Sequence, residues 1–291
     1  MVRGALPAVA ARFAGLITRT APDALATADW TVADTAAHVT AIAAMYATIL
    51  APDAGPVPLR PVADLIPTVT VDTVAELNNL SLRHFAERDT STLADALTST
   101  VDHVLGITEH ADPERQVPWL GDSRVPLGGV LAHLVNELLV HGRDIARVAH
   151  TPWPIPSHEA ATFFDLFIVG MIRNDVGQVL DGPPPSSRRI AVAFRSRHTT
   201  PVTLVLHNGD VSVEEPGGPV DARVTFDPAI LNLMLFGRVG RAHAALTGKL
   251  VVSGRRPWLL PAFLRKVRLP TNSLPLPVAD TATATATATE R

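Results

Sequence analysis

Three residues on one predicted helix set the chemical question. His133, Glu137 and His141 are spaced four apart. A four-residue step drifts by only about 40° around a helix, so the three share a face. That face belongs to the apolar stripe. Val130, Leu134, Leu138, Ile145 and Val148 flank Glu137 on one side and Val140 on the other, while Asn136, Arg143 and Arg147 fall on a separate polar side. On an earlier helix, His38 shares a face with Ile42, Met45 and Ile49. An ionised carboxylate inside a bundle is costly unless it is partnered. Two imidazoles and that carboxylate can satisfy one another around a divalent cation. Two histidines and a glutamate are a zinc ligand set that leaves a fourth position for water or substrate. The plainer reading is a group of hydrogen-bonded core histidines, and the residues alone leave both open.

Composition narrows the chemistry. There is no cysteine, so disulfides and Cys-ligated zinc are excluded, and any thiol reaction must import its sulfur. The 25 Lys and Arg balance 28 Asp and Glu, with a pI near 6.4 and no basic stripe along a helix. This argues against a nucleic-acid partner. Aromatics at 5% argue against a base-stacking surface. The most apolar stretch, 163–172, contains Asp165 and is far shorter than the roughly 20 residues of a membrane span. Arg12 interrupts the apolar N-terminus, which reads as an amphipathic helix and not a signal peptide. The expectation is a cytoplasmic protein, monomer or homodimer, acting on a small molecule without nucleic acid or membrane.

The elements that must position these residues follow from periodicity and punctuation. Helices are expected over 6–20 and 32–50, the second opened by Thr31 and Asp34 as a capping-box variant. A Pro-rich loop follows to 67. A helical region over 72–110 breaks near 89–91, and a last helix starts near Pro126 and runs to about 149. Four long helices with short or medium connections make a four-helix bundle over 1–150. The Pro-rich stretch 151–156 cannot continue the helix and marks a domain boundary. Beyond it, a helix over 157–180 and a Gly-Pro-Pro-Pro turn precede strands at 190–194, 202–207, 211–214, 223–226 and 250–252. Asn208-Gly209 signals a hairpin, and Asp227-Pro228 opens a helix. A final helix covers 258–267. This is an α+β domain over 151–272, followed by a low-complexity tail, 273–291, expected to be disordered.

The segment 29–39 (DWTVADTAAHV), followed by 131–146 (LAHLVNELLVHGRDIA), resembles the mycothiol-dependent maleylpyruvate isomerase family, a group of DinB-like metal-binding bundles. The resemblance covers roughly 5–150. More loosely, 233–238 (LMLFGR) and 246–254 (LTGKLVVSG) look like that family's sterol-carrier-like C-terminal domain. It implies a multi-domain fold, with a DinB-like four-helix bundle followed by a smaller sterol-carrier-like α+β domain. It places the zinc ligands on His38, Glu137 and His141. His133 then becomes a non-ligand: a substrate-facing hydrogen bonder, a group behind the ligands, or a core residue. Asp144 either orients a ligand imidazole or makes a helix-end ion pair. Trp30 packs at the entrance to the second helix. Arg238 either reaches across to an anionic substrate or is a solvated surface arginine.

The cofactors implied are a divalent metal, Zn2+ first, and mycothiol as thiol cosubstrate. Zinc coordination removes a thiol proton. The thiolate would add to an activated cis double bond of a small, anionic electrophile. Rotation and expulsion then give the trans isomer, whereas an S-transferase would keep the adduct. Two other readings stand beside this one. One is a metal-dependent hydrolase using a zinc-activated water. The other is a non-catalytic carrier binding an apolar ligand in the second domain, suggested by the apolar runs 163–172 and 231–236.

Overall fold

The computed structural model describes residues 2–51, 62, 64–182 and 187–268. Most of the expected 51–67 loop, most of the Gly-Pro-Pro-Pro turn and the 273–291 tail lie outside the described residues.

Four helices form the bundle: α1 (Val2–Ile17), α2 (Val32–Leu50), α4 (Thr90–Ile107) and α5 (Leu127–Val148). Helices α1 and α2 each pack on both α4 and α5, so α1 and α2 lie on opposite sides of the bundle. A shorter helix, α3 (Val74–His84), packs on α2. The expected break near 89–91 is real. Asp89 caps the N-terminus of α4 by accepting from the Thr92 amide at 2.7 Å.

Helix α2 starts with a full capping box. Thr31 Oγ1 accepts from the Asp34 amide at 3.1 Å, and Asp34 Oδ2 accepts from the Thr31 amide at 3.2 Å. Two orphan donors of the first turn are thereby satisfied, and Arg88 Nε adds a bond to Asp34 at 2.8 Å. By length and composition α2 is apolar enough to cross a membrane. Its apolar window is 61% buried inside the protein, in keeping with its place at the bundle core.

The 151–156 segment carries no helix or strand. It is held to α5 by Trp153, whose Nε1–H donates to the Leu139 carbonyl at 2.9 Å. Gly142 makes the approach possible, since a Cβ there would collide with the indole. The next helical segment differs from the expected 157–180 helix. It runs as α6 (Ser157–Thr162), a π-helical turn (Phe163–Ile168) and α7 (Val169–Asn174), and ends six residues early. The π-turn packs on α5 where Gly129 has no side chain, and a Cβ there would strike the Leu166 carbonyl. One hydrophobic core therefore runs through both halves, from Val2 to Phe263.

The sheet has five strands: β3 (Ile190–Arg195), β4 (Val202–His207), β5 (Asp210–Glu214), β6 (Ala222–Phe226) and β7 (Leu250–Ser253). Their order is β5-β4-β3-β6-β7. Only β3 and β6 pair in parallel. Asn208 (φ 53°) and Gly209 (φ 88°) are both left-handed, as the expected two-residue hairpin requires. Asp227 caps α8 (Pro228–Leu235) by accepting from the Ile230 amide at 3.2 Å. A short helix α9 (Arg241–Leu246) and a small hairpin of β1 (Gln116–Pro118) with β2 (Arg124–Pro126) lie outside the sequence expectation. The final expected helix is a 3-10 turn (Pro257–Leu259) followed by α10 (Leu260–Lys266).

Burial alone would raise the Asp34 carboxyl, but the Thr31 bonds and Arg88 hold it below the ordinary carboxylate range. A depressed folded-state pKa contributes stability above the unfolded value and loses it as pH falls through the folded one. Asp34→Asn is therefore expected to destabilise the protein by about 1 kcal/mol near neutral pH. The gap to wild type should close as urea denaturation is repeated at descending pH below about 4. A gap that stays constant with pH would contradict this account of the cap.

Candidate metal centre

Helix α5 carries His133, Glu137, His141 and Asp144 on its buried side, and α2 brings His38 opposite. Glu137 is the hub. Its Oε2 lies 3.5 Å from His38 Nε2 and 3.4 Å from His141 Nε2, and its Oε1 lies 3.7 Å from His133 Nε2. Donor atoms of His38, Glu137 and His141 all fall within 4.8 Å of one another, and all three residues are buried. Zinc–ligand bonds of about 2.0–2.2 Å put tetrahedral ligands roughly 3.3–3.5 Å apart. The two Glu137–imidazole separations, the mixed nitrogen and oxygen donors and the convergence from two helices fit a divalent cation.

Charge around this hub is arranged in layers. Burial raises the Glu137 carboxyl, yet His141 and His38 together bring it well below its ordinary value. Burial pushes His38 down, and Glu137 offsets this only in part. His141 goes the other way. Burial opposes its charge, but Asp144 and Glu137 lift it to about 9. Its Nδ1 lies 3.3 Å from Asp144 Oδ2, at ion-pair distance though not aligned as a hydrogen bond. Asp144 is gripped in turn by Arg238 from the second half of the chain, through Nε at 3.2 Å and Nη2 at 2.6 Å. Arg238 Nη1 also donates to the Phe236 carbonyl at 2.7 Å. Of the two expected roles of Asp144, the ion pair is present, with Arg238, and the carboxylate also lies beside the His141 ring. Arg238 does reach across to the site, where its partner is Asp144; the solvated-surface reading is overturned.

His133 belongs to a separate hydrogen-bonded chain. Trp119 Nε1–H donates to Tyr46 Oη at 3.0 Å, and Tyr46 Oη lies 3.0 Å from His133 Nδ1. Indole is a donor only, so the phenol oxygen accepts from Trp119, and it shares the second hydrogen bond with His133 Nδ1. The other ring nitrogen, Nε2, faces Glu137 Oε1. The His133 ring is also packed against Phe167, at 4.6 Å between centroids, and Phe163. On the other side, Trp30 lies 4.7 Å from the His38 ring.

Several of these contacts escape the sequence reading. Tyr46, the sole tyrosine, is eight residues after His38, about 80° further round α2. It is readable as an inward polar residue. Trp119 is placed by sequence only in a loop. The helical wheel puts Asn136 on the polar side of α5, but it is buried, and Asn232 Nδ2 donates to its Oδ1 at 2.9 Å. The wheel cannot show this, because the partner is 96 residues away.

A buried set of two imidazoles and one carboxylate inside a helical bundle defines a candidate metal-binding protein. Comparison with known proteins makes this more specific. Residues 6–146, a little under half of the chain, match the family model described as the mycothiol maleylpyruvate isomerase N-terminal domain. Among solved structures, the chain is similar to one titled the crystal structure of the mycothiol-dependent maleylpyruvate isomerase. The identity is 12% and the TM-score 0.47, over 87% of this chain and 91% of that one. It is also similar to sterol carrier protein 2 from Yarrowia lipolytica in its apo form. There the identity is 20% and the TM-score 0.23, over 32% of this chain and 87% of the other. No curated protein matches the sequence.

A metal needs neutral imidazoles, while His141 holds its proton up to about pH 9 in the metal-free protein. Zinc binding at pH 7.5 should therefore release roughly one proton per chain. Apparent affinity should climb with pH and flatten above about 9. Calorimetry in buffers of different ionisation heat reads this directly. In Asp144→Asn the release should shrink, because the imidazole loses the partner that holds its proton.

Proposed function

We propose that this chain is a metal-dependent enzyme using a low-molecular-weight thiol, mycothiol by the family model that residues 6–146 match, to isomerise or S-conjugate an electrophilic small molecule. The observation that carries this reading is the buried His38–Glu137–His141 set, which lines a large cavity shared by both halves of the chain. Bound there, a divalent cation such as Zn2+ would supply the Lewis acidity that keeps a thiol as its nucleophilic thiolate.

The chain's own residues do the rest. His38 and His141 offer Nε2, and Glu137 offers a carboxylate already deprotonated by its surroundings. Asp144 orients the His141 ring, as carboxylates do behind metal-bound histidines, and Arg238 fixes Asp144. His133 turns its Nε2 toward the same space, where the N–H form can donate to a carbonyl oxygen on which charge develops. The rings of Phe163, Phe167, Trp30 and Trp119 limit water around the reacting atoms, which strengthens each of these polar interactions. The reading suits a reducing cytoplasm, where the thiol stays reduced.

The first test is metal content by elemental mass spectrometry on wild type and His141→Ala. About one zinc per chain is expected in wild type, with most of it lost in the variant. Mycothiol should then bind the zinc-loaded protein and not the metal-free one. A substrate panel run with and without mycothiol separates the alternatives: turnover that needs zinc but no thiol would replace this reading with a hydrolase. Absence of metal after incubation with excess zinc would reduce the cluster to core histidines.

His133→Gln keeps a hydrogen-bond donor, whereas His133→Ala does not. Zinc content is expected to stay near wild type in both. Turnover in the alanine variant should fall by roughly 100- to 1000-fold, the range seen when a charge-stabilising donor is removed, with partial rescue by glutamine. Loss of zinc in His133→Ala would place this imidazole among the ligands instead.

A further inference from the structure

The space beside the metal centre is far larger than a small dianion needs, and its inner walls are wrong for one. The cavity measures about 1910 Å³, against roughly 300–1,000 Å³ for ordinary small-molecule sites. It starts at His38, Glu137 and His141 and continues past Phe163, Phe167 and Phe236. It ends against the inner face of the sheet and α10, at Leu204, Val224 and Phe263.

A compact dicarboxylate would need cations free to hold it. Three lining arginines are already committed. Arg238 is forked onto Asp144, Arg268 onto Asp72, and Arg147 Nη2 donates to the Ala26 carbonyl at 2.9 Å. Among the described residues, the two other lining arginines, Arg241 and Arg265, are exposed. Freeing Arg238 for a substrate carboxylate would take from the buried Asp144 the stronger of its two partners and leave it only His141. Beyond the metal cluster the described walls are mostly carbon, interrupted by the self-paired Arg268 and Asp72. The rim itself is partly apolar, with Val252 41% and Leu264 38% exposed.

We propose that the electrophile handled here carries a long apolar body, such as an acyl chain, with its reactive end at the metal centre and its chain running toward the sheet. This rests on the metal- and thiol-dependent reading above and makes its electrophile extended and apolar, where the sequence resemblance implies a small anion. The size of the second arm then has a purpose. Burying the chain supplies binding free energy remote from the reacting carbon, which can be used to orient it.

The test is calorimetric titration of the full chain with straight-chain alkan-1-ols from butanol to dodecanol, and with maleate, in both metal-free and zinc-loaded protein. Affinity is expected to improve about fourfold per added methylene to at least ten carbons. Maleate should bind more weakly than decanol. An affinity that stops improving by six carbons, or maleate binding tighter than decanol, would overturn the proposal. Met234→Trp narrows the far arm from a half-buried wall position. It should move the plateau to shorter chains while butanol binding stays unchanged. If that variant unfolds on thermal melting, the wild-type series still decides. The chain-length gradient does not depend on metal. A gradient present without zinc or thiol binding would remove the enzymatic reading and leave an apolar-ligand cavity. Zinc and thiol binding without a gradient would do the reverse.

Discussion

Keeping one carboxylate ionised inside an apolar bundle is the constraint on which the rest of the structure depends. Glu137 sits mid-helix among leucines and valines, where an unpaired charge would be strongly destabilising. Its stability there comes from imidazoles placed by two different helices. The spacing of four on α5 supplies His133 and His141, and the capped start of α2 sets the height at which His38 enters. Shifting α2 by a single residue would rotate His38 by about 100° away from Glu137. The capping box therefore contributes to the site's geometry as well as to helix stability.

The second half of the chain is part of that arrangement. Burying Glu137 raises the proton affinity of His141, and holding a charged imidazole in turn requires Asp144. Asp144 needs a cation, and Arg238 comes from just beyond α8. Each buried charge is thus compensated by the next, and the series ends at a residue 94 positions along the chain. Close packing between the halves makes the reach possible. Gly129 and Gly142 remove side chains where the π-turn and Trp153 meet α5, and the Asn136–Asn232 bond ties α5 to α8. A chain that kept the ligands but enlarged either glycine would push the second half outward and loosen Arg238.

What is legible in the sequence is whatever local periodicity records. The inward stripe of α5, the cap of α2, the Asn208-Gly209 hairpin and the Asp227 cap all concern residues within a turn or two of one another. The ligand residues stand out because a carboxylate within an apolar stripe must have a charged or hydrogen-bonding partner close by. Asn136 and Arg238 mislead for a common reason: each looks like a solvent-facing polar group until its partner is known, and both partners are about a hundred residues away. The Trp119–Tyr46–His133 chain draws on three separate elements, and nothing local links them. The π-turn is hidden as well, because Phe163–Ile168 is an ordinary helical run by composition. Its wider turn is a response to packing on α5 and not a propensity of its residues.

The site has two ends of opposite physical character. At the His38–Glu137–His141 cluster, donors are held by networks that leave little rotational freedom: Tyr46 is hydrogen-bonded to His133, Asp144 lies against His141, and Arg238 holds Asp144. A few steps away, the walls are rings and aliphatic chains that make no directional demand. Directional contacts are useful where bonds rearrange, because a small displacement there is expensive in rate. Apolar walls are useful where only binding free energy is needed, since burial scales with area and tolerates variation in shape. The charges along the wall are paired where they stand, Arg238 on Asp144 beside the cluster and Arg268 on Asp72 further off, so that filling the apolar arm does not desolvate a bare guanidinium.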